Sequence, residues 1–244
     1  MEAIRCAHLG AQVFHLHMRD EHDSNTQDGA LFRETILRIR HELPDVLICV
    51  TTSSRASNSL EDRLAPLELE GDAKPDMASL SLGSFNFPNS VSRNSPEEIE
   101  LLASAMKKRG IVPELEVFEP GMGDHSASLQ SKGLLPAGLV MDILLGNRGT
   151  SPASVQALAP FISQLSDSTE WALAGIGRFQ RKAIMLGISL GANVRVGMED
   201  DPTGDGSDSW SNARAVKLAI EVCEVAKRQI ATRTEARQRL LSQA

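Results

Sequence analysis

Ala11-Gln12-Val13-Phe14-His15-Leu16-His17-Met18-Arg19-Asp20 is the stretch from which the rest of the chain can be read. Its apolar run predicts a short buried β-strand over Val13–Leu16. The strand ends abruptly in histidines and charges. Side chains at i and i+2 of a strand share a face, so His15 and His17 project together from its end. That is half of a metal site, or else two partly buried histidines bonded to backbone carbonyls; the spacing alone leaves both readings open.

The same grammar, an apolar run closed by polar residues and followed by helical periodicity, recurs along the chain. Further strands are predicted at Val46–Val50, Met77–Leu80, Leu115–Phe118, Leu139–Leu144, Trp171–Ala174 and Asn193–Val196. Helices are predicted at Leu31–Leu43, Pro96–Arg109, Pro152–Leu165, Arg178–Gly187 and Ser211–Arg228. Ser95-Pro96-Glu97-Glu98 is a strong helix start, with proline at the first position and acids in the first turn. Strands alternating with helices predict an α/β fold of parallel βαβ units in one domain spanning 1–244, either a closed (β/α)8 TIM barrel or an open doubly wound sheet. Met1–Gly10 reads as the end of a helix. In a barrel, therefore, the first strand and most of the first helix are expected to be missing from this chain.

Composition narrows the functional classes. The chain has 244 residues, 41% of them hydrophobic, enough for a true core. A formal net charge of −7 argues against nucleic acid or a membrane surface as partner. Cys6, Cys49 and Cys223 are too few and scattered for a disulfide framework, and no apolar run reaches membrane-spanning length, so a soluble cytoplasmic protein is expected.

The third ligand candidate is Glu199, at the end of the run Asn193-Val194-Arg195-Val196-Gly197-Met198-Glu199-Asp200-Asp201. In a barrel the last strand lies near the first, so Glu199 is within reach of the histidines. Two imidazoles, a carboxylate and an open position suit a catalytic divalent metal, zinc before others. Arg195 beside Asp200 suggests an oriented proton acceptor, or a salt bridge at the rim. Thr51-Thr52-Ser53-Ser54 and Ser79-Leu80-Ser81 end two other strands. Their hydroxyls can meet a substrate carboxylate or carbonyl, or cap the next helices. Gly175-Ile176-Gly177-Arg178 opens a helix and can hold an anion there, or be only a tight turn. Glu114, Glu116 and Glu119 are read as lining the interior or a solvated rim. A metal-dependent amidohydrolase also opens on His-x-His but needs histidines on middle strands; here only His125 follows His41, in a segment read as a loop.

Taken together, these motifs resemble the β-keto acid cleavage enzymes, a family of zinc-dependent (β/α)8 barrels. The resemblance covers nearly the whole chain. It rests on His15-Leu16-His17-Met18-Arg19-Asp20, Gln27-Asp28, Thr51-Thr52-Ser53, Lys74-Pro75-Asp76-Met77-Ala78-Ser79-Leu80 and Gly83-Ser84-Phe85-Asn86-Phe87. Pro113-Glu114-Leu115-Glu116-Val117-Phe118, Gly175-Ile176-Gly177-Arg178-Phe179-Gln180 and Val194-Arg195-Val196-Gly197-Met198-Glu199-Asp200 complete it.

The resemblance implies that His15, His17 and Glu199 bind zinc, that Arg195 and Asp200 assist deprotonation, and that Thr51 and Ser81 lie near substrate. It implies condensation of a β-keto acid with acetyl-CoA, then cleavage to acetoacetate and a shortened CoA thioester, by a homo-oligomer. The Gly175, Gly177 and Arg178 turn then suits the CoA phosphates. The chain departs from the family at Asp201, where Asn is usual, and at Glu119, where Asp is usual. Family members also begin with a strand expected to be absent here, which leaves a catalytically impaired barrel kept for assembly or binding as the alternative.

Overall fold

A computed structural model describes residues 2–87, 90–204, 206 and 209–242. Its centre is a curled sheet of seven parallel strands in sequential order: β1 (Val13–Leu16), β2 (Leu47–Val50), β3 (Met77–Ser81), β4 (Val112–Val117), β5 (Leu139–Leu145), β6 (Thr169–Gly175) and β7 (Asn193–Val194). Each strand pairs in parallel with the next, for example Val13 with Leu47, Cys49 with Met77, and Leu173 with Val194. The helices α1 (Glu2–Leu9), α2 (Gly29–Glu42), α3 (Leu60–Leu64), α4 (Pro96–Arg109), α5 (Pro120–Ser131), α6 (Val155–Ile162), α7 (Gln180–Ser189), α8 (Asn212–Val225) and α9 (Arg233–Leu241) surround it. Two short antiparallel ribbons, Met18–Arg19 with Asn25–Thr26 and Phe85–Phe87 with Ser90–Ser92, extend the loops after β1 and β3. Among the described residues no helix is long and apolar enough to cross a membrane.

Alternation along the strands divides the molecule into two cores. Outward residues such as Ile48, Val50, Leu80, Leu115, Val117 and Ile143 pack under the helices. Phe32, Ile36 and Ile39 of α2 are fully buried against this layer, each contributing about 1.5–3 kcal/mol. Inward residues change character along the strand direction. The first layer is apolar, Cys49, Met77, Val112 and Val140, with Val13, Leu240 and Leu241 packed on it. One layer further on stand His15, Glu114 and Asp142, then Ser81 and Glu116. The polar layers therefore lie at the C-terminal ends of the strands, where a parallel barrel builds its sites.

Most expected elements are present, with informative differences. β4 begins at Val112 rather than Leu115, because Glu114 and Glu116, which look like loop residues, face inward to charged partners. β7 is two residues long, although Arg195 N–H still donates to the Leu173 carbonyl. The segment read as a loop around His125 is helix α5. Proline stands at its first turn, and Gly123, Ser126 and Leu129 face inward, a stripe too small and polar to register as amphipathic. β1 and β7 are the end strands, and among the described residues they do not pair. A cavity of about 670 Å3 lies between them, reaching from His17 and Glu199 down to Leu240.

The opposite end is held by Asp76. Its Oδ2 accepts from Arg40 at 2.8 Å and from the Ile48 N–H at 2.9 Å, while Oδ1 faces Arg237 of α9 at 3.3 Å. Removing one member of a buried ion pair strands the other, at a cost of about 3–5 kcal/mol. Asp76→Ala should lower Tm by roughly 6–15 °C in a calorimetric scan. A shift below about 2 °C contradicts this role.

Candidate active site

His15 and His17 stand on one face of β1 and just beyond it. Their rings are stacked with centroids 5.1 Å apart and planes 9° from parallel. Glu114 of β4 fixes the first ring: its carboxylate oxygen lies 2.6 Å from His15 Nδ1. A carboxylate only accepts, so Nδ1 carries a proton, and in the neutral ring Nε2 is the nitrogen with the lone pair. Nε2 of His15 and Nε2 of His17 are both buried without a partner. An orphaned buried imidazole nitrogen is costly, and a carboxylate–histidine pair with the far nitrogen free is the usual support of a metal ligand.

The electrostatics differ for the two rings. Burial and Arg195 oppose a charge on His15, but Glu114 outweighs them and raises its pKa. Burial, then His15, Arg195, Arg55 and Arg19, push His17 well below its usual value, leaving it neutral and able to ligate. Glu199 is close by, with Oε1 3.9 Å from His17 Nδ1. It is not idle: Arg55 Nη1 donates to Oε1 at 2.7 Å, and Arg19 Nη2 lies 4.0 Å from Oε2.

A second cluster of metal-binding types, His15, Cys49 and Glu114, has ligand atoms within 4.8 Å of one another. Its chemistry points elsewhere. Cys49 Sγ donates to Glu114 Oε2 at 3.4 Å, and that oxygen already serves His15. Burial, then Glu114, raise the Cys49 thiol well above its usual range, whereas a metal needs the thiolate. The donor set with open lone pairs is that of His15 and His17, beside Glu199.

Arg195 is the hub of the polar layer. Its Nε and Nη2 reach the two oxygens of Asp200 at 3.0 and 3.3 Å, and Nη1 donates to Glu116 at 2.7 Å. Asp142 lies 3.5 Å from Nη1 and Glu114 4.0 Å. Burial disfavours the guanidinium charge, but Asp200, Glu116, Asp142 and Glu114 together hold its pKa well above normal. Glu114 is held down to about 2: burial works against the anion, but His15 and Arg195 prevail. Asp142 is pushed up to about 8 by burial and by Glu114, so it keeps its proton at neutral pH.

The other expected residues fall as follows. Ser81 Oγ donates to Glu116 Oε2 at 2.7 Å. Thr51 Oγ1 accepts the Ser53 N–H at 3.1 Å, and among the described residues its own hydroxyl proton has no acceptor. Gly177 has φ 58°, a conformation that favours glycine, but its N–H donates to the Asp200 carbonyl at 2.7 Å. The turn therefore presents the exposed Arg178 side chain rather than that amide. A side chain at Gly175 would strike the Phe179 carbonyl, so this glycine serves packing. Asp201 is buried and accepts from Thr203 and the Gly204 N–H, tying down the loop after the site. Glu119 starts α5 and accepts from Ser151, outside the cluster. His125 faces the Leu82 carbonyl. Arg55 and Asp142 belong to the cluster and carry no sequence signal beyond lying in the loop after a strand or inside an apolar run.

An imidazole pair, a carboxylate and a buried Arg–Asp couple thus stand together at the strand ends, where a (β/α)-barrel enzyme builds its site. The family model of the beta-keto acid cleavage enzymes matches residues 1–241, and the chain belongs to that family. It is 34% identical to a 3-keto-5-aminohexanoate cleavage enzyme of Fusobacterium nucleatum, over 97% of this chain and 86% of the relative. It is 32% identical to a 3-oxoadipate:acetyl-CoA acetyltransferase of Cupriavidus necator, over 93% of this chain and 80% of that one. The first is by name a cleavage enzyme and the second an acyl-transferring one. Among solved structures, the apo form of ObcA superposes with a TM-score of 0.82 at 20% identity, covering 98% of this chain. The chain spans 63% of that protein's length, and the likeness concerns the fold.

Asp142 gives a stability signature. An unfolded Asp loses its proton near pH 4, whereas folded Asp142 keeps it until about 8. Between those values the native state binds the extra proton, so stability falls as pH rises through this window and the loss is complete above it. Asp142→Asn should flatten the Tm profile between pH 5 and 9 and raise Tm by at least about 2 °C at pH 9. A variant curve parallel to wild type contradicts the assignment.

Proposed function

We propose that the chain is a zinc-dependent β-keto acid cleavage enzyme that uses acetyl-CoA as co-substrate. The observation that carries this reading is the pair of buried, unpartnered Nε2 atoms of His15 and His17. They lie within the same cluster as the Arg195–Asp200 couple. His15, His17 and Glu199 would hold the metal, which when bound supplies a Lewis acid for the substrate's keto oxygen.

The remaining work falls to side chains. Asp200, both oxygens oriented by Arg195, accepts the C2 proton of the β-keto acid. Holding that carboxylate in one orientation removes a search the reaction would otherwise make. The C2 carbanion attacks the acetyl carbonyl of acetyl-CoA and expels the CoA thiolate. The thiolate then attacks the C3 carbonyl, and the C2–C3 bond breaks. This yields the shortened acyl-CoA and the acetoacetate carbanion, to which Asp200 returns its proton. No oxidant or reductant is needed.

Thr51 is assigned to the substrate carboxylate through its unsatisfied hydroxyl proton. Ser81, bonded to Glu116, places its hydroxyl on the same face as Arg195. Arg178 is assigned to the CoA phosphates, with Gly175 and Gly177 shaping the turn that presents it.

Purified protein should carry close to one zinc per chain, which His15→Ala with His17→Ala removes. Asp200→Asn should retain the zinc and lower kcat about 10²–10⁴-fold, as loss of a general base does. Wild type without zinc, or without CoA-ester formation from any β-keto acid plus acetyl-CoA, overturns the reading.

A further inference from the structure

Arg55 is a buried-side guanidinium to which the reaction above gives no task. It follows β2 in a loop that is held rigidly. Arg63, itself 1% exposed, donates to the Thr52 carbonyl at 2.7 Å and to Asn94 at 2.6 Å. Ser54 Oγ accepts the Arg93 N–H at 2.7 Å, and Ser53 Oγ accepts the Arg55 N–H at 3.3 Å. The side chain is equally placed. Its guanidinium carbon lies 4.3 Å from the centroid of the Phe87 ring, on a ribbon anchored where Asn147 donates to the Asn86 carbonyl. A cation stacked on an aromatic face in a fixed loop has lost its rotamer freedom before any ligand arrives.

Only one of its five donors, on Nη1, is used among the described residues, in the bond to Glu199. Arg19 also faces Glu199. Arg19 is also held by Asp23, its Nε 3.7 Å from Asp23 Oδ1, so Arg55 is the guanidinium whose only carboxylate among the described residues is the shared Glu199. The side chain is 26% exposed, so the spare donors are open to a ligand. Phe87, with Phe85 and Phe118, supplies apolar surface beside them, suited to a short methylene chain.

We propose that Arg55 sets the substrate class: the β-keto acid of this enzyme carries a second anionic group, a carboxylate at the far end of its chain, which Arg55 binds. The assignment rests on the β-keto acid cleavage reading. The group shared by every such substrate, the carboxylate on C2, is common to the two probes below and cancels in their comparison.

The test is kcat/KM with acetyl-CoA for 3-oxoadipate against 3-oxohexanoate, equal in length and differing in the terminal carboxylate. A charge-assisted contact is worth on the order of a hundredfold, so wild type should favour the diacid by about that ratio. Arg55→Gln should collapse the ratio to within about threefold of one, mainly through KM for the diacid, and Arg55→Lys should restore part of it. If Arg55 merely positions Glu199, Arg55→Gln lowers both substrates together and the ratio stands, which overturns the proposal. A wild-type ratio at or below one overturns it too, and needs no variant to fold. Activity on 3-oxohexanoate alone sinks this proposal while sparing the cleavage reading; no turnover of either probe or any other β-keto acid sinks the cleavage reading itself.

Discussion

The Arg195 guanidinium is the charge on which the polar half of the barrel depends. It stands just past β7 and reaches Asp200 on its own strand end, Glu116 on β4 and Asp142 on β5. Without it, three inward carboxyls would face one another in a low-dielectric interior, a cost of several kcal/mol for each ion left uncompensated. With it, they become a network that fixes side chains from several strands. The apolar first layer, Met77, Val112 and Val140 under Leu240 and Leu241, closes the other end and keeps the network in one place.

That arrangement explains how so many acids coexist. Glu114 is paired with His15 and lies near Arg195, Glu116 is bonded to Arg195 and Ser81, and Asp200 takes the remaining face of the guanidinium. Asp142, 3.5 Å from the same guanidinium but buried beside the Glu114 anion, keeps a proton instead. The same positions organise the chemistry. Glu114 sets which nitrogen of His15 is free, and Arg195 sets where Asp200 points. In the proposed reaction, structural charge balance and catalytic orientation are one network.

Much of this was legible in the chain, and for identifiable reasons. Period-two patterning ending in polar residues located the strands, and β1 was read to the residue because His15 and His17 mark its end so sharply. The alternative of two histidines satisfied by backbone carbonyls is not what the structure contains: Glu114 holds one ring, and both Nε2 atoms are free. Elements whose signal is local and weak escaped. α5 hides behind Pro120, Gly121 and Gly123, and the start of β4 behind acids whose partners lie 79 and 99 residues away in sequence. Arg55 and Glu199, 144 residues apart, meet only because β2 and β7 end on the same rim. Long-range charge pairing has no signature in a local window. The turn at Gly177 was legible as a turn, yet the Asp200 carbonyl claims the very N–H that an anion would have used.

The claim that most needs testing is which side chains hold the proposed zinc. X-ray absorption at the zinc edge of the purified protein reads that directly. The account predicts a shell of nitrogen and oxygen at about 2.0–2.1 Å with imidazole scattering from two rings and no sulfur. A zinc–sulfur distance near 2.3 Å would place the ion at Cys49 with His15 and Glu114, and would contradict the assignment to His15, His17 and Glu199.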